Sequence, residues 1–99
     1  MQRGGTVYMM CSNNNRVIYT GVSSSLFWRV LEHKEKKDPD CFTAKYNCQK
    51  LVYYNSFSTI EEAIAEEKRI KGGSRKQKEI LINSMNPEWR DLWHDIKDW

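Results

Sequence analysis

Residues 6–22 read TVYMMCSNNNRVIYTGV, and this stretch decides the fold of the chain. Its two ends, 6–11 and 17–22, are rich in β-branched, aromatic and apolar residues, which favour strands. The run 12–15 between them is typical of a turn, because Asn tolerates left-handed backbone geometry and bonds its own backbone. The stretch therefore predicts a β-hairpin.

The hairpin carries two tyrosines, Tyr8 and Tyr19. Tyr favours strands, so the pair taken alone is more often two ordinary strand residues than a functional pair. A tyrosine can nevertheless assist proton transfer from water when a cation or a metal polarises it. Gly21 indicates a bend or a close backbone approach near the end of the second strand.

Helix and strand signals alternate after the hairpin. Serines 23–25 are N-cap candidates for a helix from Leu26 to about Lys36, whose apolar residues recur at helical spacing. Residues 41–49 are expected to form a loop. Residues 51–57, rich in Val and Tyr, are expected to form a third strand that joins the hairpin in a small sheet.

Two capping boxes predict the next two helices. Within 58–62, STIEE, a Ser or Thr stands three positions before a Glu, and the same arrangement recurs with Gln in 74–77, SRKQ. The glycines 72–73 separate the two helices. The buried stripe of the first is predicted to contain Ile60, Ala63, Ile64 and Ile70.

Asn86-Pro87 predicts a last helix, with Asn as its N-cap and Pro at its first helical position. Its apolar face would contain Trp89, Leu92, Trp93 and Ile96. The resulting order, β-β-α-β-α-α-α, indicates an α+β fold in one domain, residues 1–99, with helices packed on the faces of the sheet.

Composition sets the broad class. The net charge is +3, and basic residues crowd the stretches 34–37 and 68–78. Such clusters can attract phosphate, although a solvated helix face explains them equally well. Three cysteines without CxxC spacing, no secretory leader at 1–5 and no apolar run long enough to span a membrane predict a reduced cytoplasmic protein.

Three side chains downstream of the hairpin could carry chemistry. Arg29 and His33 are four residues apart, so they project from one side of a helix, where Arg can neutralise phosphate oxygens and His can exchange protons. Glu67 falls on the inward stripe of its helix and needs a partner there. A salt bridge is the favoured partner in isolation, and Mg²⁺ is the alternative.

Other classes of site lack their motifs. The chain has no GxxxxGK[ST] or GxGxxG phosphate loop and no GxSxG nucleophile elbow. With two histidines and no paired cysteines, the sequence does not favour a structural zinc site. Further phosphate contacts are expected at Lys45 and on the basic helix, at Arg75, Lys76 and Lys78.

These residues in this order resemble a GIY-YIG nuclease domain, and in particular the small single-domain bacterial proteins of YhbQ-like, or UPF0213, type. Residues 6–8 match the first half-motif and 19–21 the second. Arg29, His33 and Glu67 fall on the family's helix arginine, histidine and metal-binding glutamate. The sequence departs from the family pattern at Thr6, Val7, Thr20 and Gly73.

The resemblance implies a three-stranded antiparallel sheet flanked by helices, and metal-dependent hydrolysis of nucleic acid, DNA rather than RNA, in repair or recombination. Glu67 would hold one Mg²⁺ or Mn²⁺. Tyr19, with Tyr8, would orient or deprotonate the attacking water. Arg29 would stabilise the transition state, and His33 would assist it.

Two alternatives stay open. One is a non-catalytic module on the same fold that binds nucleic acid or a partner through its basic helix and exposed aromatic residues. The other is protein association through the tryptophans near the end of the chain, Trp89, Trp93 and Trp99.

Overall fold

The predicted hairpin forms one side of a three-stranded sheet. In the computed structural model, which describes residues 4–97, strand β1 (Gly5–Cys11) pairs antiparallel with β2 (Ile18–Ser23). Strand β3 (Lys50–Phe57) pairs antiparallel with the other edge of β1, so the strand order is β2-β1-β3. The predicted three-stranded antiparallel sheet is confirmed.

The described residues form five helices besides the sheet: α1 (Leu26–Glu35), α2 (Phe42–Lys45), α3 (Ile60–Lys71), α4 (Arg75–Met85) and α5 (Trp93–Ile96). The short helix α2 was not predicted, since its segment was expected to be a loop, and the observed order is β-β-α-α-β-α-α-α. Four residues are too few to show helical periodicity, and this helix is held by contacts with the rest of the chain. None of the helices within 4–97 is long and apolar enough to cross a membrane.

The central strand β1 separates two apolar clusters, because its side chains alternate between the faces of the sheet. On one face the cluster comprises Val7, Met9, Cys11, Val52, Tyr53, Ala63, Ile70 and Ile82, which includes residues of α3 and α4. On the other face the cluster comprises Tyr8, Met10, Leu26, Val30, Cys48, Leu51, Leu92 and Ile96, which includes residues of α1 and α5. Helices therefore cover both faces, as expected.

Both predicted capping boxes are present. Thr59 and Glu62 cap each other's backbone at the start of α3, and Ser74 and Gln77 do the same for α4. These signals were readable because each box satisfies its own helix end without help from the rest of the fold.

The buried stripe of α3 is narrower than predicted. Ala63 and Ile70 are buried, but Ile64 is exposed. Residues seven apart on a helix point in nearly the same direction, whereas adjacent residues differ by about 100°. Ile64 follows Ala63 directly, so it turns away from the sheet.

The predicted start of the last helix at Asn86-Pro87 is wrong. Asn86 ends α4, and its side-chain amide donates hydrogen bonds to the carbonyls of Val52, at 3.2 Å, and Arg90, at 2.8 Å. Trp89 then adopts a left-handed conformation with φ 54°, which no helix continues through. Asn86, which locally resembles a helix N-cap, therefore bonds to the sheet instead. Helix α5 begins later, at Trp93, and has four residues.

Candidate active site

Strand register brings the two tyrosines together. Tyr8 lies opposite Gly21 in the hairpin, and Met10 lies opposite Tyr19, so both tyrosines project from one face of the sheet as diagonal neighbours. Their ring centroids are 6.3 Å apart. A Cβ on Gly21 would lie 2.6 Å from the Tyr8 hydroxyl oxygen and 2.9 Å from the Tyr19 ring, so only glycine leaves room for both rings.

The two tyrosines differ sharply in exposure. Tyr8 has no solvent-accessible surface, because β1 is the central strand. Tyr19 stands on the edge strand and is half-buried. It lines an open cavity of about 430 Å³, whose other lining residues are Arg29, Glu32, His33, Lys37, Asp38, Cys41, Phe42 and Thr43.

Behind the cavity a chain of hydrogen bonds holds Tyr8. Its hydroxyl lies 2.9 Å from Nε2 of His33, and Nδ1 of His33 lies 2.7 Å from the Thr43 hydroxyl. The Thr43 hydroxyl also contacts Cys41 Sγ, at 3.3 Å. Both nitrogens of the imidazole are thereby engaged, which fixes the ring between α1 and α2.

Burial keeps Tyr8 and His33 uncharged. Burial, reinforced by the positive charge of Arg29, lowers the pKa of His33 to about 4. Burial is also the main cause that raises the pKa of Tyr8, and Tyr19 and Glu67 raise it further. At neutral pH the contact between the two residues is therefore a hydrogen bond between a phenol and a neutral imidazole.

Arg29 lies at the mouth of the cavity. The first turn of α1 presents its guanidinium, half-exposed and paired with Glu32 at 3.3 Å. Interaction with the Tyr8 hydroxyl is the main cause that raises the pKa of Arg29. A positive charge thus lines the open cavity while it interacts with the buried tyrosine.

Glu67 joins the site through Lys71. The Glu67 side chain is 15% exposed, and its Oε2 lies 3.1 Å from Lys71 Nζ, one helical turn further along α3. That ammonium also stands 6.0 Å from the centre of the Tyr19 ring. The inward position predicted for this glutamate agrees with its burial, and the salt bridge that was favoured in isolation is present.

The residues fit a divalent ion that takes part of its coordination from elsewhere. No group of three or more His, Cys, Asp or Glu side chains within residues 4–97 could enclose a metal. Glu67 offers one carboxylate, linked to Tyr19 through Lys71, and Mg²⁺ is commonly held by one or two carboxylates together with waters and substrate phosphates. Lys71 now pairs with that carboxylate and would give way to such an ion.

The basic residues predicted to bind nucleic acid are not gathered around the cavity. The Arg75 guanidinium donates to the carbonyls of Asn15 and Arg16, which ties α4 to the hairpin turn. Lys78 donates to the Gly73 carbonyl at 3.2 Å. Lys76 is exposed on α4, and only Lys45, exposed on α2, belongs to an element that also lines the cavity.

Three residues of the site were not singled out from the sequence. Thr43 and Phe42 fell in a segment expected to be a loop, and no local pattern marks them. Lys71 could have been found, because a Glu followed four residues later by a Lys forms a favourable pair on a helix.

The departures from the family pattern have local consequences. The Thr6 hydroxyl lies 3.1 Å from that of Ser56 on β3. The Thr20 hydroxyl is buried without a hydrogen-bond partner among the described residues. Any side chain larger than hydrogen at Gly73 would meet the amide of Gln77, which the capping box of α4 uses.

Comparison with known proteins agrees with the fold. The family model of the GIY-YIG catalytic domain matches residues 4–80. The chain therefore belongs to the GIY-YIG family, in its small UPF0213 type. A UPF0213 protein of Bacillus pumilus (strain SAFR-032) is 31% identical over 71 residues, which cover 72% of this chain and 71% of the relative. No solved structure matches the chain.

Proposed function

We propose that this protein is a divalent-metal-dependent endonuclease that hydrolyses phosphodiester bonds in nucleic acid, DNA rather than RNA. The observation that carries the proposal is the convergence of Tyr19, Arg29 and His33 on one cavity, with Glu67 linked to Tyr19 through Lys71, which pairs with the carboxylate and lies 6.0 Å from the Tyr19 ring. Membership of a family of nuclease domains supports it.

Glu67 would hold one Mg²⁺ or Mn²⁺, with water and a substrate phosphate completing the coordination. When bound, the ion would neutralise phosphate charge and make a bound water easier to deprotonate. The released Lys71 ammonium would remain beside Tyr19, where it can attract a phosphate oxygen.

Tyr19 is the tyrosine proposed to orient or deprotonate the attacking water, because it lines the cavity. Tyr8 has no accessible surface and is bonded to His33, so its role is to support the site from behind. Arg29 would stabilise the negative charge that the phosphate gains in the transition state. His33, neutral at physiological pH, would act through its hydrogen bonds.

Cleavage assays with Glu67→Gln test the proposal. Plasmid, single-stranded and branched DNA are incubated with Mg²⁺ or Mn²⁺. We expect the wild type to cut and the variant to lose about 100-fold or more, the scale on which loss of one electrostatic partner of a transition state acts. Glu61→Gln, an exposed carboxylate on the same helix, is the matched control and should cut normally. Absence of cleavage by the wild type under both metals would contradict the proposal.

The second candidate is a non-catalytic binding module, and the exposure of large aromatic side chains favours it. Phe42 and Tyr46 are 45% and 52% exposed. This function predicts binding that weakens with salt while the strands stay intact under every metal. Association through the terminal tryptophans has less support: Trp93 stacks on Phe27 within the chain, and Trp99 lies outside the described residues.

The setting of the activity belongs to the same proposal. We place it in one domain, residues 1–99, in a reducing cytoplasm, with a role in DNA repair or recombination. The cysteines Cys11, Cys41 and Cys48 are free thiols, which suits a reducing compartment.

A further inference from the structure

A row of aromatic rings leads out of the cavity. The Phe42 ring lies 5.9 Å from the Tyr19 ring, at an interplanar angle of 32°, and 4.7 Å from the Tyr46 ring, at 40°. Phe42 and Tyr46 are four residues apart at α2, so they share one side of it. Exposure increases outward, from half-buried Tyr19 through Phe42 at 45% to Tyr46 at 52%.

The row is fixed relative to the site, because the opposite side of α2 is anchored. Thr43 and Ala44 are buried, and the Thr43 hydroxyl is bonded to His33. Phe42 is therefore an exposed aromatic residue on a segment that the buried hydrogen-bond chain holds in place. The fold of the protein does not bury this aromatic surface, so the surface is available to a ligand.

Positive charge accompanies the rings. Arg29 and Lys37 line the cavity, and Lys45 is exposed on α2 between Phe42 and Tyr46. The acidic Glu32 and Asp38 also line the cavity, and Glu32 is paired with Arg29. Proteins that bind single-stranded nucleic acid combine cations with exposed aromatic rings. The cations attract the phosphates, and the bases stack on the rings.

We propose that Phe42 and Tyr46 form a stacking platform for unpaired nucleobases, so that the substrate is single-stranded or locally unpaired nucleic acid. Both faces of a base inside a duplex are covered by its neighbours, and only an unstacked base can lie on Phe42. A phosphate at Tyr19 and Arg29 would place the adjoining base on the platform. This inference rests on the proposed nuclease function and names the substrate class of the same site.

Binding measured without cleavage tests the platform. Fluorescence anisotropy of a labelled oligothymidine of about 12 nucleotides, and of a duplex of equal length, is measured with the wild type in EDTA at fixed salt. We expect the single strand to bind more tightly than the duplex. Phe42→Ala and Tyr46→Ala should each weaken single-strand binding about 5- to 100-fold, as loss of one stacking ring does.

The controls separate stacking from other effects. Trp28→Ala removes an exposed ring outside the row and should leave the affinity unchanged. Phe42→Leu keeps apolar contacts with Tyr19 but removes the aromatic face, so it should bind like Phe42→Ala while melting like the wild type. Equal affinity for duplex and single strand, unchanged binding by both Phe42 variants, or an equal loss in Trp28→Ala would overturn the platform.

The two proposals fail in different ways. Cleavage by the wild type together with unchanged binding by the Phe42 variants would leave the nuclease standing and refute the platform. Loss of single-strand binding in these variants, with no cleavage by the wild type under Mg²⁺ or Mn²⁺, would uphold the platform as a binding site and refute the nuclease.

Discussion

Tyr8 and Tyr19 come from matching half-motifs and share one face of the sheet, yet they occupy opposite environments. Tyr8 is sealed in the core and bonded to His33, and with Thr43 these residues form the buried half of the site. Tyr19, Arg29 and Phe42, which line the same cavity as His33 and Thr43 but are more exposed, form its open half. The difference teaches that two copies of one residue can take different places in the same fold: one is sealed in the core and the other lines the cavity.

Conservative removal of each tyrosine hydroxyl gives the largest expected effect. Tyr19→Phe should lower the cleavage rate about 100-fold or more, the contribution of one acid or base group, with little change in stability. Tyr8→Phe should leave the buried Nε2 of His33 without its partner, which costs about 1–3 kcal/mol of unfolding free energy. Urea titrations and cleavage rates on one DNA substrate measure both quantities. A greater activity loss in Tyr8→Phe at unchanged stability would reverse the assignment.

Gly21→Ala should disturb the packing between the Tyr8 and Tyr19 rings, where the two halves of the site meet. The added methyl would press on the Tyr8 hydroxyl and the Tyr19 ring at once. Overpacking of this kind costs about 1–3 kcal/mol, and the displaced rings should reduce cleavage as well. Gly72→Ala is the matched control, because its Cβ would meet its nearest neighbour, the Lys68 carbonyl, at 3.4 Å. Equal stability of the two variants in urea would show that the rings are not tightly packed around Gly21.

The buried half should also make the stability of the protein depend on pH. Burial lowers the pKa of His33 from 6.5 to about 4, so between these values the unfolded chain binds a proton that the folded chain does not. Stability is therefore lost as the pH falls through this window, by about 2 kcal/mol between pH 7.5 and pH 5.

His33→Gln isolates that contribution. Urea titrations across the pH range should show a smaller loss on acidification in His33→Gln than in the wild type. His94→Gln removes an exposed histidine on α5 and should keep the wild-type slope. The same slope in all three proteins would contradict a buried neutral His33.

Local signals explain which parts of the fold could be predicted. The capping boxes at Thr59 and Ser74 act within one helical turn, and their sequence pattern was sufficient. Asn86 carried an equally clear local signal, but the carbonyl of Val52 on β3 bonded its amide and overrode it. Helix α2 depends on contacts with distant residues, and four residues carry too little pattern to reveal it.

The candidate site follows the same rule: local patterns could be read from the sequence, and contacts between distant elements could not. The tyrosines, Arg29, His33 and Glu67 were candidates because their order and spacing resemble the GIY-YIG pattern. Which tyrosine is buried could not, because that depends on β1 lying in the centre of the sheet and β2 at its edge. Thr43 was missed for a related reason: its bond to His33 joins two elements that no sequence pattern relates.

The central position of β1 also determines the order in which parts of the sheet can form during synthesis. As the chain is synthesised, β1 can pair with β2 across a short turn, but its other edge must wait for β3, where Thr6 meets Ser56 across a separation of 50 residues. Contacts so distant in sequence slow folding, and an unpaired central strand is open to pairing with other chains meanwhile. Tyr8 can be sealed only after β3 docks, and Glu67 follows later still on α3. A nascent chain therefore carries both tyrosines long before it carries the carboxylate of Glu67.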